Sequence, residues 1–379
     1  MKLLGKLLIG IILGIIIGLA APEWVVRVLV TFKTLFGSFI TFIVPFIILF
    51  FIASGVAGLG KRSGKLVGST VGLAYVSTVL AGLLAFTVAS FIIPMLTTPS
   101  EAVEEAGGLE PFLSFEIEPL MGIVTALVMA FVFGIGVSKT GSEKIKAFFD
   151  EGRDIIELVI AAIVIPLLPF YIAGIFSELA YEGTVFETLS LFAVVLILAI
   201  SLHLVWLVIQ YSTAGALRKQ NPFKLLANMA PAYATAIGTM SSAATIPVTL
   251  QSVKKNNVKE NIANFGVPLC ATIHLSGSVI TIVTCAMAVM MITPELAAPT
   301  LANMLPVIFM LGLIMVAAPG VPGGAIMAAL GVLTSMLGFS EAAIGLMIAL
   351  YMAQDSFGTA TNVTGDGAIN LIIDKFSKS

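Results

Sequence analysis

The chain has 379 residues, 59% of them hydrophobic and only 11% charged, and its mean hydropathy is +1.10. Soluble domains are about a quarter charged, so this composition excludes a large soluble core and describes a polytopic membrane protein. The net charge of −2 gives no electrostatic footprint for nucleic acid.

Lys2 and Lys6 precede an apolar run from Leu7 to Ala21. That layout is shared with signal peptides, but many apolar segments follow, and the run reads as a first transmembrane helix. A spanning helix needs about 20 apolar residues. The segments 5–22, 27–59, 65–95, 119–139, 153–178, 186–216, 260–293 and 341–374 meet that need, giving eight expected spans. The longer ones imply tilt or extension into the interface. His203, alone in the sixth span, reads as a packing residue. Cys270 and Cys285 share the seventh span and read as packing residues rather than a disulfide framework.

Basic residues are sharply partitioned. Lys61, Arg62 and Lys65 mark one loop, and Lys139, Lys144, Lys146 and Arg153 the next on that side. Arg218, Lys219 and Lys224 follow, then Lys254, Lys255 and Lys259, and finally Lys375 and Lys378. The alternate loops 96–118, 179–187 and 294–300 hold no Lys or Arg, and the first carries Glu101, Glu104, Glu105, Glu110, Glu116 and Glu118. The positive-inside rule then puts both termini in the cytoplasm of a plasma or inner membrane protein. Arg27 and Lys33 are exceptions, expected to snorkel from the outer end of the second span.

This partition exposes two segments that do not cross. The stretch 225–252 has basic flanks at both ends, so it is expected to enter and return, turning at Ser241-Ser242-Ala243-Ala244. The stretch 297–340 is flanked by Glu295 and Glu341 and is expected to do the same from the other side, turning at Pro319-Gly320-Val321-Pro322-Gly323-Gly324. Irregular backbone at membrane depth is tolerated only where protein or a water-filled cavity satisfies it. Two opposed re-entrant hairpins point to inverted repeats with a midplane site built from broken helices.

The last span carries the chemistry. Asp355, Thr359, Asn362 and Asp366 fall at spacings of four, three and four, on one helix face. A carboxylate at that depth is costly and marks a substrate or ion pathway. Two anions, an amide and a hydroxyl could hold an ammonium group and a small cation.

These residues resemble the dicarboxylate/amino acid:cation symporter family, the glutamate-transporter fold. Ser241-Ser242-Ala243-Ala244-Thr245-Ile246-Pro247-Val248 resembles its first hairpin tip, and Pro268-Leu269-Cys270-Ala271-Thr272-Ile273 the start of its broken seventh helix. Gly320-Val321-Pro322-Gly323-Gly324-Ala325-Ile326-Met327 resembles the second tip, and Asn362-Val363-Thr364-Gly365-Asp366 is similar to the last-helix motif. The Ser-Ser-Ala-Ala and Gln-Asp-Ser variants look closest to the bacterial serine/threonine:sodium symporter branch.

The resemblance implies an all-α homotrimer among membrane lipids, working as an elevator. Residues 1–64 and 119–180 would form the scaffold (helices 1, 2, 4 and 5). Residues 65–95 (helix 3) and 186–379 (helix 6, hairpin 225–252, helix 7, hairpin 297–340, helix 8) would form the transport domain. It implies substrate contacts from Ser241, Ser242, Ser278, Val321, Gly324, Asp355, Thr359 and Asn362, with Asp355 on the substrate ammonium. Cation coupling would involve Cys270, Thr272, His274, Ser276, Asn362 and Asp366. Na⁺ is the expected ion and needs no further cofactor. H⁺ carried by His274 or Asp366 is the alternative.

Departures from the family pattern narrow the substrate. Acidic-substrate members hold the second carboxylate with an arginine, where this chain has Gly358 and Met240, and no arginine follows Arg218. An unpaired buried carboxylate is expensive, so a small neutral amino acid (serine, threonine or alanine) is expected over acidic amino acids or dicarboxylates. Sodium members carry an Asn-Met-Asp-Gly-Thr break where this chain has His274-Leu275-Ser276-Gly277-Ser278. Imidazole nitrogen is a poorer partner for a hard cation than oxygen. Cys270 and His274 lack the further ligands of a transition-metal site.

An enzyme reading is disfavoured because no nucleophile elbow or metal motif accompanies Ser241, His274 and Asp355. The sequence has no nucleotide-binding motif, so the energy is expected to come from gradients. A channel fits the paired hairpins less well than alternating access does.

Overall fold

The computed structural model describes residues 3–58, 65–96, 109–115, 117–318 and 320–377. Of the expected loop charges, Lys2, Lys61, Arg62, Glu101, Glu104, Glu105, Glu116 and Lys378 lie outside them, as does Pro319 of the second expected turn. The described residues form helices and connecting turns without a strand.

In chain order the helices are α1 (Leu3–Ala20), α2 (Glu23–Gly58), α3 (Lys65–Leu96), α4 (Ile123–Thr140), α5 (Glu143–Val159), α6 (Ile165–Tyr181) and α7 (Val185–Arg218). Then come α8 (Pro222–Ala227), α9 (Ala230–Thr239), α10 (Ser242–Lys255), α11 (Glu260–Ile273), α12 (Ser276–Ile292), α13 (Leu301–Met315), α14 (Gly324–Leu337) and α15 (Glu341–Phe376). A single π turn, Ile160–Val164, joins α5 to α6.

Six helical segments among the described residues are long and apolar enough to cross a membrane: Glu23–Gly58, Leu66–Met95, Ile123–Thr140, Glu143–Tyr181, Val185–Arg218 and Glu260–Ile292. Gly5–Ala20 is shorter. Helix α15 is interrupted by Asp355, Asp366 and Asp374, which lowers its apolarity.

One group of helices packs around α2, which contacts α4, α5 and α6. Within it, α1 lies so close to α6 that a Cβ at Gly10, Gly14 or Gly18 would sit 2.3–2.5 Å from the carbonyl oxygens of Pro169, Ala173 and Ser177. Small residues every fourth position permit this backbone approach, the usual device where lipid offers no hydrophobic drive. Lys33 pairs with Glu178 of α6. Arg27 donates to the Glu110 carbonyl at 2.9 Å and lies 4.3 Å over the Phe112 ring. Both expected snorkelling residues are therefore fixed by protein partners.

The second group surrounds α12 and α15, the most enclosed helices; α3, α7, α9 and α11 pack against one or both. The groups meet where α14 lies on α2 and α4 and where α15 packs against α6, α2 and α1.

Both expected hairpins are present as broken helix pairs. The first breaks at Met240, whose φ of +53° is left-handed, and α10 restarts under the Ser241 cap. Its helical start at Ser242 comes earlier than the expected four-residue turn. The second runs out along α13 and returns along α14, and Gly323, with φ +73°, opens the return arm. Glycine tolerates that conformation without Cβ strain. The seventh segment breaks between α11 and α12 at His274 and Leu275.

Candidate functional site

The two hairpin tips and the break between α11 and α12 converge on the middle of α15. Ser241 joins the tips: its Oγ donates to the Gly320 carbonyl at 2.7 Å and accepts from the Ala244 amide at 3.2 Å, capping α10. Beneath this contact lies a small cavity of about 10 Å³, about the room of one water.

Helix α15 contributes Tyr351, Asp355, Thr359 and Asn362 to the cavity, successive turns of one face. The first hairpin contributes Met240 and Ser242, the second Gly320, Val321 and Ala325, and the α12 end Leu275 and Ser278. Six of the eight expected substrate contacts thus meet around one space. Ser241 bridges the tips instead of lining it, and Gly324 starts α14 just behind Val321. Met240, Leu275, Gly320, Ala325 and Tyr351 are additional lining residues. The signal for Tyr351 was its position one turn before Asp355. Gly358 is not part of the lining: it packs beside Gly277 and Thr281 of α12.

Asp355 is the one carboxylate in the lining, and no Lys or Arg joins it. It is 3% exposed. Its Oδ2 accepts from the Gly323 amide at 2.8 Å and its Oδ1 from the Thr359 hydroxyl at 3.4 Å. A carboxylate offers about four lone-pair sites, so acceptor capacity remains toward the cavity. Tyr351 donates its hydroxyl to Ser278 Oγ at 3.2 Å.

Asn362 does structural work at the same place. Its Oδ1 accepts from the Gly277 and Ser278 amides at 2.7 and 3.3 Å, and its Nδ2 donates to Ser278 Oγ at 2.9 Å. The side chain therefore caps α12 from a neighbouring helix, satisfying amides that a helix start leaves without partners.

One turn further along α15 is a second polar cluster. His274 Nδ1 lies 2.9 Å from Asp366 Oδ1, and His274 Nε2 lies 2.9 Å from Ser77 Oγ of α3. Gln210 of α7 donates to Ser77 Oγ at 3.0 Å and lies 3.4 Å from His274 Nε2. His274 is fully buried and Asp366 nearly so.

The remaining expected cation residues are dispersed. Cys270 is buried against Asn370, whose Nδ2 lies 4.0 Å from its sulfur. The Thr272 hydroxyl is turned outward and donates to its own Leu269 carbonyl at 2.9 Å. Ser276 is buried, and its Oγ has no hydrogen-bond partner among the described residues. His203 sits on the far side of α12, with Nε2 3.0 Å from the Gly277 carbonyl and 3.1 Å from Thr281 Oγ1. Among the described residues no group of three or more His, Cys, Asp or Glu could hold a metal ion.

Opposed broken hairpins around a buried carboxylate, in a chain of long apolar helices, describe a polytopic membrane transporter. The chain belongs to the sodium:dicarboxylate symporter family, whose model matches residues 3–376. It is similar to excitatory amino acid transporter 1 of Ambystoma tigrinum, 27% identical over 296 residues, covering 75% of this chain and 53% of the relative. The human excitatory amino acid transporter 1 is 28% identical over 255 residues, covering 66% and 46%. Neutral amino acid transporter B(0) of Bos taurus is 26% identical over 253 residues, covering 65% and 46%. The chain thus spans about half the length of the curated relatives it matches.

Proposed function

We propose that this chain is a secondary symporter for a small neutral amino acid of the serine, threonine and alanine class, coupled to Na⁺. The observation that carries this reading is the single carboxylate of the cavity, Asp355, with no basic residue beside it. A desolvated carboxylate suits an ammonium group. The Ser242 and Ser278 hydroxyls and the amides of the second tip suit the ligand's own carboxylate.

Charge balance gives the reason for a coupled cation. Asp355 and a zwitterionic ligand sum to −1 in a buried site, and one monovalent cation brings that to zero. An acidic substrate would bring it to −2 without an arginine in reach, and uncompensated buried charge is costly. The last carbonyls of α11 lack intrahelical partners, and that of Ala271 faces Gly320 at the second tip. Such oxygens suit a hard cation.

The space of about one water is several times too small for an amino acid. Entry therefore requires a tip to withdraw, with the Ser241–Gly320 contact parting. In this reading α1, α2, α4, α5 and α6 form a trimeric scaffold, and the helices around α12 and α15 move as the carrier. The chain crosses the membrane eight times with both termini in the cytoplasm.

The test is uptake of labelled serine, threonine, alanine and aspartate into proteoliposomes under a Na⁺ gradient and, separately, a pH gradient. Neutral uptake driven by Na⁺ is expected. Uptake driven by the pH gradient alone would replace Na⁺ by H⁺, and preferred aspartate uptake would overturn the substrate class.

A further inference from the structure

Asp366 is a buried carboxylate in a symporter family that couples to cations, so its surroundings decide whether an ion can lie against it. A small hard cation needs several oxygen ligands converging at short range. What faces Asp366 Oδ1 is an imidazole nitrogen at 2.9 Å. On the other edge of the ring, Gln210 Nε2 donates to Ser77 Oγ, which leaves the Ser77 hydrogen for His274 Nε2. The hydrogen-bond partners therefore put a ring hydrogen on Nδ1, directed at the carboxylate.

Three further contacts crowd the position. A Cβ at Gly365 would lie 2.9 Å from His274 Cε1 and 2.8 Å from Gln210 Oε1, so the ring and the carboxamide rest directly on the bare face of α15. Asn362, the next oxygen ligand one turn back, has its Oδ1 committed to the Gly277 and Ser278 amides. The Asp366 carbonyl accepts from Asn370 at 2.8 Å.

We propose that the His274 imidazole is a built-in occupant of the cation position beside Asp366, so that this position excludes Na⁺ and the carboxylate takes its hydrogen bond from within the chain. The proposal deepens the symporter reading by confining any coupling Na⁺ to other oxygens. Both His274 and Asp366 are then positioning residues for the break between α11 and α12.

The experiment is direct ²²Na⁺ binding to the purified chain in lipid nanodiscs, without amino acid, for the native protein, Asp366→Asn and His274→Asn. Asp366→Asn keeps an oxygen for the ring hydrogen, and its Na⁺ affinity should stay within two-fold of the native value. His274→Asn replaces the ring with a shorter amide and should add Na⁺ binding that Asp366→Asn in the same chain removes. A ten-fold or greater loss of Na⁺ affinity in Asp366→Asn overturns the proposal. If that variant fails to fold, His274→Asn decides: unchanged Na⁺ binding also overturns it. Because no amino acid is present, failure of the neutral-substrate reading would not alter either readout.

Discussion

Asp355 and Asp366 are the same residue on the same helix, about 16 Å apart along its axis at 1.5 Å per residue. Asp355 receives a backbone amide from a hairpin tip and a hydroxyl from its own helix, and it borders a cavity. Asp366 receives the His274 side chain from the break between α11 and α12 and is not in the lining of that cavity. The first carboxylate is held by groups that leave it capacity for a ligand. The second has an imidazole from the α11–α12 break packed against one of its oxygens. Which role a buried carboxylate has is thus set by its partners.

The sharpest way to break this contrast is Asp355→Asn. Loss of a charge-assisted contact to an ammonium should weaken neutral amino acid binding about 100-fold, roughly 2.7 kcal/mol. The fold should remain intact, and normal uptake by the variant would remove the assigned role.

A smaller effect is expected from Gly323→Ala. Its φ of +73° strains any L side chain, and the added Cβ would meet Met352 Sδ at 3.1 Å. The amide that holds Asp355 would shift, weakening binding about ten-fold, which equilibrium binding of labelled serine would measure.

Ser241→Ala removes both the α10 cap and the tip-to-tip contact. A cap is worth about 1 kcal/mol. Hydrogen exchange at the tips should accelerate several-fold, while protection in the core of α12 should not change. The smallest effect belongs to Thr272→Val. Its hydroxyl faces outward onto its own helix, so Na⁺ and substrate affinities should stay within two-fold in a titration of uptake.

Much of this architecture was legible in the sequence because it follows from local rules. The apolar segments became helices, and the two stretches with matching flanks became broken pairs turning at Met240–Ser241 and at Gly320–Gly323. The Asp355, Thr359 and Asn362 stripe converged as the 3.6-residue period requires. The residues that escaped are those whose roles depend on other elements. Nothing local to Asn362 says that its amide caps α12, and nothing near Gly358 says that α12 takes the space beside it. Arg27 and Lys33 look like snorkelling residues until Glu110 and Glu178 are brought alongside.

The sequence by itself determined a membrane-embedded helical chain, the positions of its breaks and the helix face that carries the carboxylates. Composition, hydrophobic length and helical period are sums over neighbouring residues. Only the tertiary structure decided that Met240 and Tyr351 line the cavity, that Ser241 fastens one tip to the other, and that His274 lies on Asp366. Those pairings join residues on separate helices, and the order in which helices pack fixes them.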